Sequence, residues 1–495
     1  MGLGEILAGR GLVSLATIQA AQEQQRRVGG RLGDILVEMG ALTTEQFASE
    51  MASIERVTPA APRSLPDTGI APGHLTNLML KFMFVEARSA PSDLARAMKL
   101  PYHLVQELIA DATHRKLVQS LGMNGSGAFQ EIHYTLGQEG RSLAADALRQ
   151  NQYLGPAPVA LPAFQGQVRK QPITEERFVA DDLLHALEGL VVPGYYVRKV
   201  LPAMNAGRTI LLFGPPGNGK TTLAGCVASL FRQVVYVPYA VEIAGQIMKV
   251  FDVNVHKPVL SDEQRSHLES PGLGADPFDD RWVACRRPFA VAGGELTWEM
   301  LDLQYDAVSK FYDAPLHVKA LNGLFLIDDF GRQRIDPKAL LNRWITPMEN
   351  RMDYLRLHTG ASFSLPFDEL MIFSTNIDPQ AIMDPALLRR ISYKIKLYEP
   401  EREDYRQLFI SQAASHGLEL PDDVFEFIVD SLSARSDIGL AYFQPKFICA
   451  QVAEICRSFD LPPHLTQALA MEALSNLYVQ MEDRADRQDI GPSAG

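Results

Sequence analysis

The chain has 495 residues, of which 46% are hydrophobic and 21% are charged. This is the composition of an ordinary globular protein, and at about 100–200 residues per domain the length predicts three or four domains. The formal net charge of −12 argues against a protein that mainly coats nucleic acid or an anionic membrane, because both require a basic surface. Most of the negative charge lies beyond residue 150.

The cysteine pattern and the lengths of the apolar runs indicate the cellular compartment of the protein. Cys226, Cys285, Cys449 and Cys456 form no Cys-x-x-Cys pair, so neither a disulfide framework nor a zinc site is expected. No run of about 18 apolar residues is present, and the N-terminus lacks the basic and apolar stretches of a signal peptide. We therefore expect a cytoplasmic protein without a membrane span.

An internal repeat opens the chain at a constant offset of 29 residues. The segment Leu3-Gly4-Glu5-Ile6-Leu7 recurs as Leu32-Gly33-Asp34-Ile35-Leu36, and Gly11 recurs as Gly40. Each copy predicts a short apolar helix, a glycine stop and a second helix, which begins near Ser14 in the first copy. This series of matched positions at one offset indicates a duplicated structural unit.

The two copies resemble the N-terminal (MshEN) domain of type II secretion and type IV pilus assembly ATPases. The resemblance defines a domain of residues 1–57 and implies a cyclic di-GMP site, because some members bind this ligand across both copies. The residues that it points to are Leu3, Gly4, Gly11, Gln25, Arg31, Leu32, Gly33 and Gly40. Gly2 and Ile54 depart from the family pattern, where Arg and Gln stand. A small helical docking domain without a ligand is the alternative.

Two proline-rich segments, residues 58–73 and 151–174, predict linkers on either side of a domain of residues 74–150. The pattern of that domain predicts two helices, a third over Tyr102–Leu121, a strand over Phe129–Leu136 and a last helix. This order resembles a winged helix-turn-helix.

The third predicted helix carries the acidic residues Glu107 and Asp111 beside three basic ones, and the whole domain is nearly neutral. Because phosphate contacts dominate DNA affinity and require a positive excess, we expect no DNA binding here. A protein–protein adaptor is the favoured interpretation of this domain, with DNA binding as the alternative.

A phosphate-binding pattern follows the short apolar strand Thr209–Phe213. It reads Gly214-Pro215-Pro216-Gly217-Asn218-Gly219-Lys220-Thr221-Thr222 and leads into a helix. In this strand–loop–helix context, glycines let backbone N–H groups wrap the phosphates of a nucleotide. All nine residues are therefore predicted to bind ATP, with Lys220 neutralising phosphate charge and Thr221 reaching Mg²⁺.

Two further strands end in polar residues that complete this chemistry. The strand Leu324–Ile327 is followed by Asp328, predicted to hold Mg²⁺ with Thr221, and by Asp329, predicted to orient or deprotonate the attacking water. The strand Leu370–Thr375 ends at Asn376, whose amide is predicted to hold this water. The catalytic candidates are thus Lys220, Asp328, Asp329 and Asn376, joined by the arginines considered next.

Arg389 and Arg390 follow the helical segment Asp384-Pro385-Ala386-Leu387-Leu388. An arginine at such a site can reach the γ-phosphate on a neighbouring subunit and stabilise the charge of the transition state. The alternative is that the two arginines are solvent-exposed residues at a helix C-terminus. Their positive charges would interact favourably with the helix dipole and would have no catalytic role.

Taken in order, these motifs resemble the AAA+ ATPases over residues 175–480. The resemblance implies a multidomain chain with a doubly wound α/β P-loop core at 175–400 and a helical lid at 401–482. These follow the small helical repeat domain and the winged helix, and a flexible tail at 483–495 ends the chain. It also implies a self-assembled ring, most often a hexamer. In many members a lid arginine touches the phosphates; here Lys446 stands in the similar place, and Arg435 competes for the role.

Two features distinguish this chain from a minimal core. The polar stretch Val253–Val283 predicts an insertion, and Tyr354–Leu365 alternates around Thr359-Gly360, which predicts a β-hairpin. The function predicted overall is that of a Mg²⁺-dependent ATPase ring that remodels a protein partner. If the resemblance of the N-terminal domain extends to its function, this partner belongs to a secretion or pilus system. The alternatives are a nucleotide-gated adaptor with negligible hydrolysis and a DNA-bound regulator.

Overall fold

The computed structural model describes residues 4, 7, 12–29, 32–124, 131–188, 190–259, 278–434 and 439–478. The chain divides into two compact units. The first comprises Met1–Arg177, Phe231–Leu326 and Gln333–Met371, and the second comprises Phe178–Leu230, Ile327–Arg332 and Ile372–Gly495. Each unit mixes helices with strands, and each is described separately below.

In the described part of the N-terminal repeat, helices form where the sequence predicts them. They are α1 Leu15–Val28, α2 Leu32–Glu38 and α3 Thr44–Val57. Ser14 caps α1 by accepting a hydrogen bond from the amide of Thr17 at 3.1 Å. Thr43 and Gln46 exchange side-chain to main-chain hydrogen bonds of 3.0 and 3.2 Å at the start of α3. This reciprocal cap satisfies two amides that a helix start otherwise leaves without partners.

The segment after the repeat contains three helices, a two-stranded hairpin and a further helix. They are α4 Pro72–Val85, α5 Pro91–Met98, α6 Tyr102–His114, β1 Val118–Asn124, β2 Glu131–Leu136 and α7 Gln138–Gln150. The prediction that α6 extends to Leu121 is wrong. The helix ends at His114, Lys116 adopts a left-handed φ of 58°, and β1 pairs antiparallel with β2. This pairing between distant residues outweighs the local helical pattern.

Both segments that the sequence predicts as linkers carry buried apolar side chains. In residues 58–73, Leu65 and Ile70 pack into the core of the α4–α7 segment. Residues 151–174 include β3 Val159–Ala160 and α8 Leu161–Lys170, whose Phe164 and Val168 are buried among the strands of the first unit. Proline marks turns in both segments, but their apolar residues bury too much surface for a free linker.

The rest of the first unit is built mainly from strands. They are β5 Val234–Pro238, β6 Ala240–Ile243, β7 Gln246–Lys249, β8 Trp282–Arg286, β9 Phe289–Ala292, β10 Gln304–Tyr305, β11 Tyr312–Asp313, β13 Met352–Arg356 and β14 Ser362–Pro366. Two helices, α12 Leu316–Lys319 and α13 Pro337–Asn350, accompany them. One five-stranded sheet has the order β10-β11-β7-β6-β3, and β5 pairs with β8. The predicted β-hairpin is confirmed, because Tyr354 on β13 pairs with Ser364 on β14. Residues 260–277 of the predicted insertion lie outside the described residues.

The second unit combines a parallel sheet with helices. Its elements are α9 Ala180–Ala186, α10 Gly194–Asn205, β4 Ile210–Phe213, α11 Lys220–Ser229, α14 Pro379–Ile382, α15 Pro385–Arg390 and β16 Tyr393–Lys396. Two strands, β12 Leu324–Ile327 and β15 Leu370–Thr375, begin in the first unit and end in the second. Both β15 and β16 pair with β4 in parallel. The predicted strands are confirmed, and parallel strands end at the same edge of a sheet.

The predicted C-terminal helices are also confirmed. They are α16 Arg402–Ser415, α17 Asp422–Ser433, α18 Gln444–Ser458 and α19 Gln467–Leu477, and their apolar residues share one core. The predicted tail at 483–495 lies outside the described residues. Over the part of the chain that the structure describes, no helix has both the length and the apolar character needed to cross a membrane.

Candidate nucleotide-binding site

The loop between β4 and α11 depends on glycine at three positions. Gly214, Gly217 and Gly219 have φ values of 145°, 78° and 70°, which other residues rarely adopt. A Cβ on Gly214 would also approach the main chain of Leu397 within 3.0 Å. The loop therefore follows its path only because these residues lack side chains.

Lys220 begins α11 and turns back into the loop. Its side chain is buried, and Nζ donates hydrogen bonds to the main-chain oxygens of Gly214 at 3.0 Å and Pro215 at 2.8 Å. Burial lowers the pKa of the ammonium, while the nearby carboxylates of Asp329 and Asp328 oppose this shift. A phosphate in the loop would supply negative charge that stabilises the charged lysine.

Thr221 and Asp328 meet although 107 positions separate them in the chain. The Thr221 hydroxyl donates to Oδ2 of Asp328 at 2.6 Å, and the amide of Asp329 donates to Oδ1 of Asp328 at 3.1 Å. A hydroxyl and a carboxylate are hard oxygen ligands of the kind that Mg²⁺ prefers, so these two residues fit the predicted metal. Pro216 and Thr222 are exposed beside them.

Asp329 and Asn376 also lie together, as the sequence predicts. Nδ2 of Asn376 donates to Oδ1 of Asp329 at 2.9 Å. The segments that carry them are joined by a hydrogen bond from the Phe330 amide to the Ser374 oxygen at 2.7 Å. Asp329 has a left-handed φ of 48°, an unfavourable conformation for a residue with a side chain. Backbone conformations of this kind are common at functional positions.

The two arginines lie at the end of α15, which Asp384 caps. Arg389 Nε donates to the oxygen of Pro385, and Arg390 Nη1 donates to that of Ala386, each at 3.2 Å. Both side chains are exposed. A single chain does not test an action across a subunit boundary, so the arginine finger stays a prediction.

Lys446 is exposed on the first turn of α18, and its side chain makes no hydrogen bond or ion pair with any described residue. Arg435 lies outside the described residues. A residue that the sequence does not predict, Phe443, contacts the loop, because a Cβ on Gly217 would come within 3.0 Å of its ring. An isolated aromatic residue has no spacing signal, which is why the sequence does not predict it.

Aromatic residues border the loop on another side. Asn218 is buried and donates from Nδ2 to the main-chain oxygen of Tyr398 at 3.2 Å, while its Oδ1 has no hydrogen-bond partner among the described residues. Tyr398 is 55% exposed and contacts Tyr195 edge to face, with ring centroids 5.8 Å apart. We expect the exposed part of the Tyr398 ring to offer apolar surface on which a nucleobase can stack.

The glycines of the N-terminal repeat have a packing role. A Cβ on Gly4 would lie 2.7 Å from the side chain of Ile18, and a Cβ on Gly33 would overlap the ring of Phe47. Gly40 has a φ of 71° after α2 and open space around it, consistent with a helix stop. Of the other predicted ligand contacts, Gln25 and Leu32 are half-buried. Leu3, Gly11 and Arg31 lie outside the described residues.

Comparisons with known proteins identify one family match. A family described as a domain of unknown function (DUF8689) matches residues 401–476, the range of the C-terminal helices. No curated protein matches the chain. Among solved structures, the RuvB Holliday junction branch migration motor of Thermotoga maritima is 15% identical with a TM-score of 0.30, covering 64% of this chain and 74% of that one.

Two other solved structures are similarly distant. A point mutant of Thermotoga maritima RuvB is 13% identical with a TM-score of 0.34, covering 59% of this chain and 72% of that chain. NtrX from Brucella abortus is 13% identical with a TM-score of 0.33, covering 59% and 55%. Matches at this level carry no argument about function, which rests on the geometry of the site.

Proposed function

We propose that the chain is a Mg²⁺-dependent ATPase of the AAA+ type. The observation that carries this proposal is the hydrogen bond between Thr221 and Asp328, which joins the phosphate-loop helix to the end of β12 beside the buried Lys220. Groups suited to bind a nucleotide, a metal ion and a water molecule lie together around this loop. This combination is what phosphoryl transfer to water requires.

The residues of the chain divide the work of hydrolysis among them. Backbone amides of the glycine loop and the Lys220 ammonium bind the phosphates, and Thr221 with Asp328 would hold Mg²⁺. When bound, Mg²⁺ neutralises charge that develops on the phosphates. Asn376 fixes one carboxylate oxygen of Asp329. The other oxygen can then accept the proton of the attacking water.

Assembly into a ring, of which a hexamer is the expected form, is the second part of the proposal. Arg389 and Arg390 would act on the ATP of a neighbouring subunit, and their exposure supports this role. In such a ring, hydrolysis would be used to remodel a protein partner. The partner belongs to a secretion or pilus system if the N-terminal repeat serves as it does in the proteins that it resembles.

Regulation by cyclic di-GMP at the N-terminal repeat is the third part. Because Gly4 and Gly33 are occupied in helix packing, Gln25 and Arg31 are the residues proposed to bind the ligand. A ligand there changes hydrolysis only if its affinity differs between two states of the ATPase. Titration of the full-length chain with cyclic di-GMP by calorimetry tests this part, and absence of binding at micromolar ligand would contradict it.

The ATPase proposal is tested by separating nucleotide binding from turnover. Lys220→Ala should abolish both, whereas Arg389→Ala and Arg390→Ala should retain ATP binding in equilibrium titrations and lose steady-state phosphate release. Arg457→Ala serves as the control, because Arg457 is an exposed cation at the far end of α18 with no assigned role in nucleotide binding. Unchanged turnover in both arginine variants would refute the action between subunits.

A nucleotide-gated adaptor with negligible hydrolysis is the second candidate. The observation that favours it is Asp329 itself, because an aspartate is one methylene shorter than glutamate and here lies in a left-handed conformation. In this alternative, ATP binding alone switches partner contacts. Slow hydrolysis that Asp329→Asn leaves unchanged would support the adaptor, and a loss of turnover would support the ATPase.

A further inference from the structure

Phe443, just before α18, contacts the phosphate-binding loop at Gly217. Its ring occupies the space that a Cβ on Gly217 would need, within 3.0 Å. Phe443 remains 39% exposed, so it is only partly covered by its contacts. The Phe443 ring can therefore lie at this position only because residue 217 is a glycine.

Gln444 fixes the position of Phe443. Its carboxamide is fully buried and uses its hydrogen-bonding capacity in four directions. Oε1 accepts from the Tyr405 hydroxyl at 3.0 Å and the Ala441 amide at 2.8 Å, while Nε2 donates to the Gly439 oxygen at 2.9 Å and the Tyr478 hydroxyl at 2.8 Å. The start of α18 therefore cannot shift without breaking several buried hydrogen bonds.

The loop itself is restrained beside the point that Phe443 contacts. Asn218, the next residue, donates to the oxygen of Tyr398, and Lys220 donates to two oxygens at the start of the loop. Gly217 has a φ of 78° and lies between these restraints. Without the ring, Gly217 would have additional conformational freedom, and the loop that the ATPase proposal assigns to phosphate binding would be less ordered.

We propose that Phe443 is a positioning residue that holds the phosphate-binding loop and thereby sets nucleotide affinity. The inference rests on the proposed ATPase function and adds the C-terminal helices to the nucleotide site. Because the contact is made at Gly217, which the ATPase proposal assigns to phosphate binding and not to activation of the water, we expect it to act equally on bound substrate and transition state. Interactions of that kind change KM and leave kcat unchanged.

Steady-state kinetics of the full-length protein test the proposal. Phe443→Ala should raise the KM for ATP about tenfold with kcat within about twofold of wild type, and Phe443→Leu should recover part of the affinity. The matched control is Phe459→Ala, because Phe459 follows the other end of α18 and is 71% exposed. A purely structural role would lower the melting temperature and the active fraction, hence apparent kcat, and leave KM unchanged.

A double-mutant cycle examines the contact itself. Gly217→Ala should raise KM, since its new Cβ meets the ring of Phe443, and adding Phe443→Ala should then cost less than it does alone. Additive effects would overturn the contact as the cause. An unchanged or lower KM in Phe443→Ala would overturn the positioning role. If the wild type neither binds ATP nor releases phosphate, the proposed ATPase function fails instead.

Discussion

Replacing Gln444 with alanine should loosen the C-terminal helices far more than any exposed glutamine there. The substitution removes four hydrogen bonds and leaves the Tyr405 hydroxyl and the Ala441 amide without their partner in a buried environment. At a net worth of about 1 kcal/mol for each hydrogen bond, partly offset by water at the more exposed partners, the expected loss is about 3 kcal/mol. The free energy of local opening should fall by this amount.

Hydrogen exchange followed by mass spectrometry measures this loss where it occurs. Peptides from α16 and α18, which pack against each other, should exchange about 100-fold faster in Gln444→Ala, because each 1.4 kcal/mol is a factor of ten. The control is Gln467→Ala, since Gln467 makes a single exposed hydrogen bond of 3.4 Å to Asp423. Equal exchange rates in the two variants would refute the role assigned to the buried carboxamide.

Substitutions at three further sites test other parts of the structure. Thr221→Val should raise the Mg²⁺ concentration needed for half-maximal activity at least tenfold, while Thr221→Ser, which keeps the hydroxyl, should not. His256 is held neutral, because burial lowers its pKa to about 4 from 6.5. Stability should therefore fall by up to about 3 kcal/mol as the pH drops from 6.5 to 4, because only the unfolded state then takes up the proton, and His256→Gln should flatten this part of the melting profile. Gly33→Ala should destabilise the repeat by about 1–3 kcal/mol, which would be measured as faster hydrogen exchange in α2. The same substitution should be nearly neutral in a Phe47→Ala background, because the clashing ring is then absent.

The phosphate loop and its acidic partner are predictable from sequence because local rules determine them. A short apolar strand, glycines at fixed spacing and Lys220 define one loop wherever they occur, and Asp328 follows an apolar strand whose end must reach the same sheet edge. Their meeting at 2.6 Å through Thr221 follows from topology more than from sequence detail. The positions of Asn376 and the β-hairpin follow in the same way.

What escapes prediction depends on contacts between distant residues. The strand β1 exists because it pairs with β2, and Leu65 and Phe164 are buried because a core is available to receive them, although their proline-rich surroundings indicate linkers. Phe443 and Tyr398 border the nucleotide loop without any periodicity that marks them. The glycines of the N-terminal repeat show a related effect, since Gly33 is required by the ring of Phe47 irrespective of any ligand.

The central claim is tested most directly by measuring phosphate release from ATP. The assembled wild-type protein is compared with the Asp329→Asn variant, each with and without Mg²⁺. The site predicts turnover that requires Mg²⁺ and falls at least 100-fold in the variant, while ATP binding is retained, because only the residue that receives the water proton has changed. Wild-type protein that binds ATP and releases no phosphate, or releases it equally well from Asp329→Asn, would contradict the account.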